Sequence, residues 1–133
     1  PGIEVVDADL PSAGLMSNFL AAQPEFHKNH IQSELEIAKA QRLDALVTIY
    51  HADHREICAH EADWPFEIIN VLEIFGESMG LVHPDRYKQL KIQKDIEAIM
   101  ADTAELVSKH ALNPVDVQRE VKAMVTDQPL PRP

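Results

Sequence analysis

Residues 51–61 hold a dense group of side chains that could do chemistry. The segment reads HADHREICAHE and combines imidazole, carboxylate, guanidinium and thiol groups. Neutral imidazole, carboxylate and thiolate are ligands that zinc and iron take in proteins. The sequence therefore offers a mononuclear zinc or iron site, whose candidate ligands are His51, Asp53, His54, Cys58 and His60. Further candidates for a third or fourth ligand are His27, His30 and His83.

The same segment could instead support thiol chemistry. On a helix, His54 and Cys58 would lie one turn apart, and His54 or Arg55 could favour the thiolate of a nucleophilic Cys58. The competing interpretation is that Cys58 packs as a small apolar residue, because no third group that would orient a catalytic pair can be identified. We expect the packing role, and leave open whether the chain is an enzyme.

A buried strand is predicted to place this segment at its carboxyl end. Residues 45–50, ALVTIY, show no polar alternation, which indicates a strand with both faces covered by helices. Ligands of parallel sheets bind beyond the carboxyl ends of the strands. Asp53 is expected to cap the following helix, and His54 and Arg55 could bind an anion at its start.

The rest of the sequence predicts strands and helices in the N-terminal half and helices alone in the C-terminal half. Residues 1–10 are predicted to form a short strand, residues 25–42 an amphipathic helix, and residues 66–79 the most buried helix. Strand, helix and strand in this order indicate a βαβ unit. The predicted fold class is α/β: a small parallel sheet flanked by helices, with a helical C-terminal extension.

Three parts are expected along the chain. Residues 1–82 form the α/β domain, and residues 83–127 form a helical extension packed on that domain or on a partner. Residues 128–133, rich in proline, form a mobile tail. In the extension, the apolar positions from Ile96 to His110 make a narrow seam, which is predicted to be a docking surface.

The composition excludes several classes of function. Lys and Arg number 12 against 22 Asp and Glu, and the net charge of −10 argues against nucleic acid and anionic membrane surfaces as partners. No apolar run has the length of a membrane-spanning helix, and no signal peptide pattern opens the sequence. The single cysteine cannot form an internal disulfide. We therefore expect a cytoplasmic protein with no direct membrane insertion.

The chain up to Gly80 resembles the cysteine-rich CCG domain. The resemblance rests on PGIEVVDAD at the start, DALVT before the His-rich segment, and WPFEIINVLEIFGESMG after it. CCG domains occur in heterodisulfide reductase, in an unusual succinate dehydrogenase, and in the iron–sulfur subunits of glycolate oxidase and glycerol-3-phosphate dehydrogenase. In that family a Cys-Cys-Gly follows the first stretch, and a Cys-x-x-Cys, often followed by His, comes after the second.

This chain departs from the family at its cysteines. Only Gly14 and His54 remain of the pattern, and the cluster positions would fall on Ser12, Ala13, Tyr50 and Asp53. None of these residues supplies the thiolate that an iron–sulfur cluster needs. The resemblance thus implies the fold of the family without its iron–sulfur cluster, and we expect no cofactor.

The function that the resemblance implies is that of a heterodisulfide-reductase-like protein acting as a non-catalytic structural or assembly component of a redox complex. Such a chain would have a protein partner or would self-associate. Two alternatives stay open. One is a mononuclear metal or thiol enzyme built on residues 51–60. The other is a small-molecule-binding module that uses the vacated cluster pocket, with polar contacts from Ser12, Gly14, Tyr50, Asp53, His54 and Arg55.

Overall fold

A computed structural model describes residues 2–11 and 22–126 of the chain. In these ranges the elements, in chain order, are α1 (Pro24–Ala40), β1 (Ala45–Thr48), α2 (His51–Ile57), a 3₁₀ helix (Cys58–Ala62), β2 (Glu67–Asn70), α3 (Val71–Ser78), α4 (Arg86–Gln93), α5 (Ile96–Lys109) and α6 (Pro114–Thr126). The two strands are parallel. The fold is therefore α/β with a helical C-terminal region, as the sequence predicts.

The parallel pair is β1 and β2, joined through α2 and the 3₁₀ helix. Leu46 lies opposite Ile68, and Thr48 lies opposite Asn70. The predicted βαβ unit instead used residues 1–10 as its first strand, and this prediction is wrong, because residues 2–11 form no strand. Asp9 has a left-handed φ of 49°, and its N–H is hydrogen-bonded to the Asp7 side chain, a turn geometry that interrupts an extended strand.

The segment 66–79 is a strand followed by a helix, and the prediction of one buried helix is wrong. Residues 67–70 pair with β1, and Asn70 ends the strand by capping α3. Its side chain accepts a hydrogen bond from Leu72 N at 3.1 Å, while Glu73 accepts one from Asn70 N at 2.7 Å. This reciprocal capping box fixes the start of α3 after the strand.

Strand β1 is covered on one face. Leu46 and Thr48 are buried, but Val47 between them is 39% exposed. The prediction that both faces are covered is therefore wrong in the described part of the chain. A two-stranded sheet needs its apolar residues on one face only, and here they meet α1.

The core of this part of the molecule lies between α1 and the sheet. Trp64, Leu10 and Leu43 pack against its margin. The outer edge of β2 is bonded to a side chain: the N–H of Ile68 donates to a carboxylate oxygen of Glu61 at 2.8 Å. The buried members of the core are Ile31, Leu35, Ala38, Leu46, Ile57, Phe66 and Ile68.

The chain divides after His83 into two compact units. In the second unit, α5 packs against α6. Ile99 is fully buried and Val107 nearly so. These two residues belong to the seam between Ile96 and His110, so the centre of the predicted docking surface is already covered. The predicted mobile tail, residues 128–133, lies outside the described residues.

Every helix in the described ranges is too short or too polar to cross a membrane.

Candidate functional site

The carboxyl ends of the two parallel strands carry polar side chains that are buried. Thr48 ends β1 and is 6% exposed, and Asn70 ends β2 and is 9% exposed. His54, on the second turn of α2, is 4% exposed. Strand ends of this kind are where α/β proteins place their ligands, so this edge of the sheet is the first candidate site.

A pair of hydrogen bonds made by Thr48 indicates which ring nitrogen of His54 carries a hydrogen. The Thr48 hydroxyl donates its hydrogen to the Ile69 carbonyl at 3.1 Å. A hydroxyl has one hydrogen, so towards His54 Nδ1, 3.0 Å away, the same oxygen can only accept. Nδ1 therefore carries a proton, and the lone pair of the neutral ring lies on Nε2.

A carboxylate lies near this histidine. One Glu73 oxygen and one His54 ring nitrogen are within 4.8 Å of each other. Glu73 is held by its bond from Asn70 N, so the strand end positions the carboxylate and the bond to Thr48 positions the ring.

The five metal ligands predicted from sequence are spread through the segment. His51 and Asp53 are exposed on the first turn of α2. Cys58 and His60 are buried in the 3₁₀ helix, and His60 Nδ1 lies 3.9 Å from an Asp63 oxygen. All five lie within the described ranges, and no three of them bring ligand atoms within 4.8 Å of one another.

Cys58 is a core residue. Its side chain is fully buried, whereas catalytic thiols are at least partly exposed to their substrates. The geometry agrees with the packing role that we expected and gives a thiol nucleophile no access to substrate.

The start of α2 differs from its prediction. The N-cap residue is Tyr50, which is 47% exposed, and Asp53 lies inside the first turn. His54 and Arg55 lie in the last turn of the helix, where its dipole disfavours an anion. The predictions of an Asp53 cap and of an anion site at the helix start are therefore wrong.

The vacated cluster pocket remains a prediction. Ser12, Ala13 and Gly14 lie outside the described residues. Of its other predicted contacts, Tyr50, Asp53 and Arg55 are exposed, and His54 is buried towards Thr48.

A second polar cluster lies where α1 faces α2. His27 Nε2 is 3.0 Å from a Glu56 carboxylate oxygen, which joins the two helices directly. Burial, and then the negative charge of Asp53, raises the pKa of Glu34 on α1 to about 7. Burial also raises the pKa of Asp53, and His30 opposes that rise. Glu34 can therefore gain or lose a proton near neutral pH, as general acids and bases do.

The sequence analysis named His27 and His30 as further candidate ligands of the site at residues 51–60, but did not connect them with Glu34 or Glu56. Residues 27–34 read HKNHIQSE, so two histidines and one glutamate recur at helical spacing. That spacing was the available signal, but glutamates of an amphipathic helix usually face solvent. Only the packing of α1 on α2 shows that this side chain is half-buried beside another carboxylate.

Comparisons with known protein families, with curated proteins and with solved structures find no match to this chain.

Proposed function

We propose that this chain is a CCG-like protein that has lost its iron–sulfur ligands and acts as a non-catalytic structural or assembly component of a redox complex. The proposal is supported by the arrangement around β1. The positions that the resemblance assigns to Cys-x-x-Cys begin at Tyr50, two residues after the end of β1, and end at Asp53 in the first turn of α2. The only cysteine of the chain, Cys58, is fully buried in the core.

The observation that carries the proposal is the exposed apolar face of α3. Leu72 is 71% exposed, Phe75 is 59% exposed and Met79, at the helix end, is 68% exposed. Their spacing of three and four residues places them on one side of the helix. None of the residues of α3, all of them within the described range, is buried. A contiguous apolar surface of this kind is typical of a protein–protein interface.

The charge of the chain favours a different protein as the partner over a second copy. Each chain carries a net charge of −10, so two copies repel each other at long range. Glu73 and Glu77 lie on α3 itself and add negative charge beside the apolar face. A partner protein with an apolar patch and a basic rim would complement this surface in both respects.

Photo-cross-linking from α3 tests the partner. A photoreactive phenylalanine analogue replaces Phe75 in the native host, and the matched control carries the analogue at Phe26, which is 51% exposed on α1. We expect position 75, and not position 26, to cross-link to one component of an oxidoreductase complex, identified by mass spectrometry. Equal products from both positions, a product with a second copy alone, or no product would contradict the proposal.

Placing cysteines at the four predicted cluster positions tests whether the chain derives from a CCG domain. The variant Ser12→Cys/Ala13→Cys/Tyr50→Cys/Asp53→Cys is reconstituted with iron and sulfide without oxygen. We expect it to bind iron with the visible absorption of an iron–sulfur cluster, while the native chain does not. The control variant places four cysteines at exposed helix positions, Glu36, Ala40, Glu97 and Ala101. Cluster formation in both variants, or in neither, would count against a CCG origin.

A further inference from the structure

We propose that the facing sides of α1 and α2 form a binding site for one divalent first-row transition metal ion, such as zinc, with donors from His27, His30, Glu34, Asp53 and Glu56. This site does not depend on the proposed function. Of its donors, Asp53 is one of the five ligands predicted within residues 51–60, and His27 and His30 were further candidates in the sequence analysis.

The spacing of the donors places them on two helix faces. On α1, His30 and Glu34 follow His27 by three and seven residues, so all three lie on one side of the helix. On α2, Glu56 follows Asp53 by three residues, which again places both on one side. Each helix therefore carries, along one side, a row of side chains that can bind a metal ion.

A direct contact shows that the two rows face each other. His27 Nε2 and Glu56 Oε2 are 3.0 Å apart. The charge of Asp53 contributes to the raised pKa of Glu34, and His30 opposes the rise in the pKa of Asp53, in agreement with this arrangement. All five donors thus belong to one region between two helices.

The donor set fits a transition metal ion better than calcium or magnesium. Two imidazole nitrogens accompany three carboxylates, and imidazole is a common ligand of zinc, iron and nickel but a poor one for the hard cations. The carboxylates of Glu34 and Asp53 repel each other when both are ionised. A divalent cation between the helices would remove this repulsion.

Binding would require the side chains of these donors to turn towards a common point. No three of these donors, all in the described part of the chain, have ligand atoms within 4.8 Å of one another. The side chain of Glu56 is 40% exposed and that of His27 is 18% exposed, so Glu56 has more room to rotate than His27. The His27–Glu56 pair would hold the ion first, and His30, Glu34 or Asp53 would turn towards it.

Titration of the full chain with cobalt(II) tests this site. Cobalt substitutes for zinc, and its visible absorption reports nitrogen and oxygen ligands. We expect one ion per chain, displaced by zinc. The variant His27→Gln/His30→Gln should bind at least about 100-fold more weakly, since loss of even supporting groups costs 10–100-fold. The control His83→Gln/His110→Gln, at two exposed histidines, should bind like the native chain.

A milder variant guards against misfolding of the double variant. Glu56→Gln keeps the size of a partly exposed side chain and should weaken binding by about 10-fold. The proposal is overturned if the native chain binds no ion, or if both variants bind as tightly as the native chain. It is also overturned if His51→Gln/His54→Gln abolishes binding while His27→Gln/His30→Gln does not, because the ion would then lie among the residues predicted from sequence.

Discussion

Helices α1 and α3 belong to the same compact unit, but the apolar residues of α1 are buried and those of α3 are largely exposed. Helix α1 alternates apolar with charged residues, yet it buries Ile31, Leu35 and Ala38 almost completely. Helix α3 is richer in large apolar side chains, yet it buries none of its residues, all of which are described. An apolar face must be covered by something, but its sequence does not say by what. The core of the chain covers α1, and we propose that a partner covers α3.

The largest expected effect comes from the covered helix. Leu35 is fully buried in the core. Leu35→Ala should lower the free energy of unfolding by about 3 kcal/mol, through lost transfer energy and the cavity left behind. Urea denaturation measures this change. The matched control Leu72→Ala, on α3, should change it by less than about 0.5 kcal/mol. Similar losses of unfolding free energy in both variants would mean that α1 and α3 are equally buried, contrary to this comparison.

The next largest effect is the pH dependence of stability that Glu34 on α1 produces. The pKa of Glu34 is about 7 in the folded chain and 4.5 for the ordinary side chain. The folded chain therefore binds more protons between these values, and this contribution to stability is lost as the pH rises through about 7. Glu34→Gln should stabilise the metal-free protein by about 1–2 kcal/mol at about pH 8, after allowance for solvent screening, and should change little near pH 4.

Denaturation across the pH range with a metal chelator measures this difference. Glu36→Gln, at an exposed position of the same helix, is the control and should leave the pH profile unchanged. A Glu34→Gln profile parallel to that of the native chain would mean that the carboxyl group of Glu34 is solvated.

Helix α3 should depend on its cap more than a buried helix does. Asn70→Ala removes the acceptor for Leu72 N and should cost about 1 kcal/mol. Because little apolar packing holds α3, amide hydrogen exchange should accelerate throughout the helix. Asn70→Asp keeps an acceptor and should retain most of the protection. Unchanged exchange in Asn70→Ala would show that packing, rather than the cap, holds this helix.

The smallest effect on stability is expected at the apolar face itself. Leu72→Ser/Phe75→Ser replaces two exposed apolar side chains and should shift the free energy of unfolding by no more than about 0.5 kcal/mol. The same variant should lose association with the partner found by cross-linking. A loss of more than about 1 kcal/mol would indicate that the chain itself covers this face.

The parts of the fold that were predictable depend on local patterns. Ile31, Leu35 and Ala38 repeat at helical spacing, and this repeat predicted α1 correctly. Residues 66–79 are apolar at both the strand and the helix period, so no periodicity separates β2 from α3. The boundary depends on the Asn70 cap and on pairing with β1, and the pairing is a contact between distant parts of the sequence.

The candidate sites, too, depend on contacts between distant parts of the sequence, which local patterns do not predict. The sequence placed reactive side chains after β1 and selected His54. It could not identify Thr48 or Glu73 as neighbours of His54, because their positions depend on the strand register and on the start of α3. The His27–Glu56 pair joins residues 29 apart and appears only when α1 packs on α2. Spacing along the chain predicts a face of a helix, and packing decides what that face meets.

The bond from Ile68 to Glu61 has a consequence for how this small sheet can grow. A free strand edge offers its N–H groups to the next chain, and such edges are the usual starting points of strand addition and of fibrous aggregates. At the outer edge of β2 a carboxylate accepts the N–H of Ile68, in the place where another strand would offer a carbonyl. An incoming strand would have to displace this negative charge first. Edge-to-edge association through β2 is thus disfavoured by a side chain from the same βαβ unit.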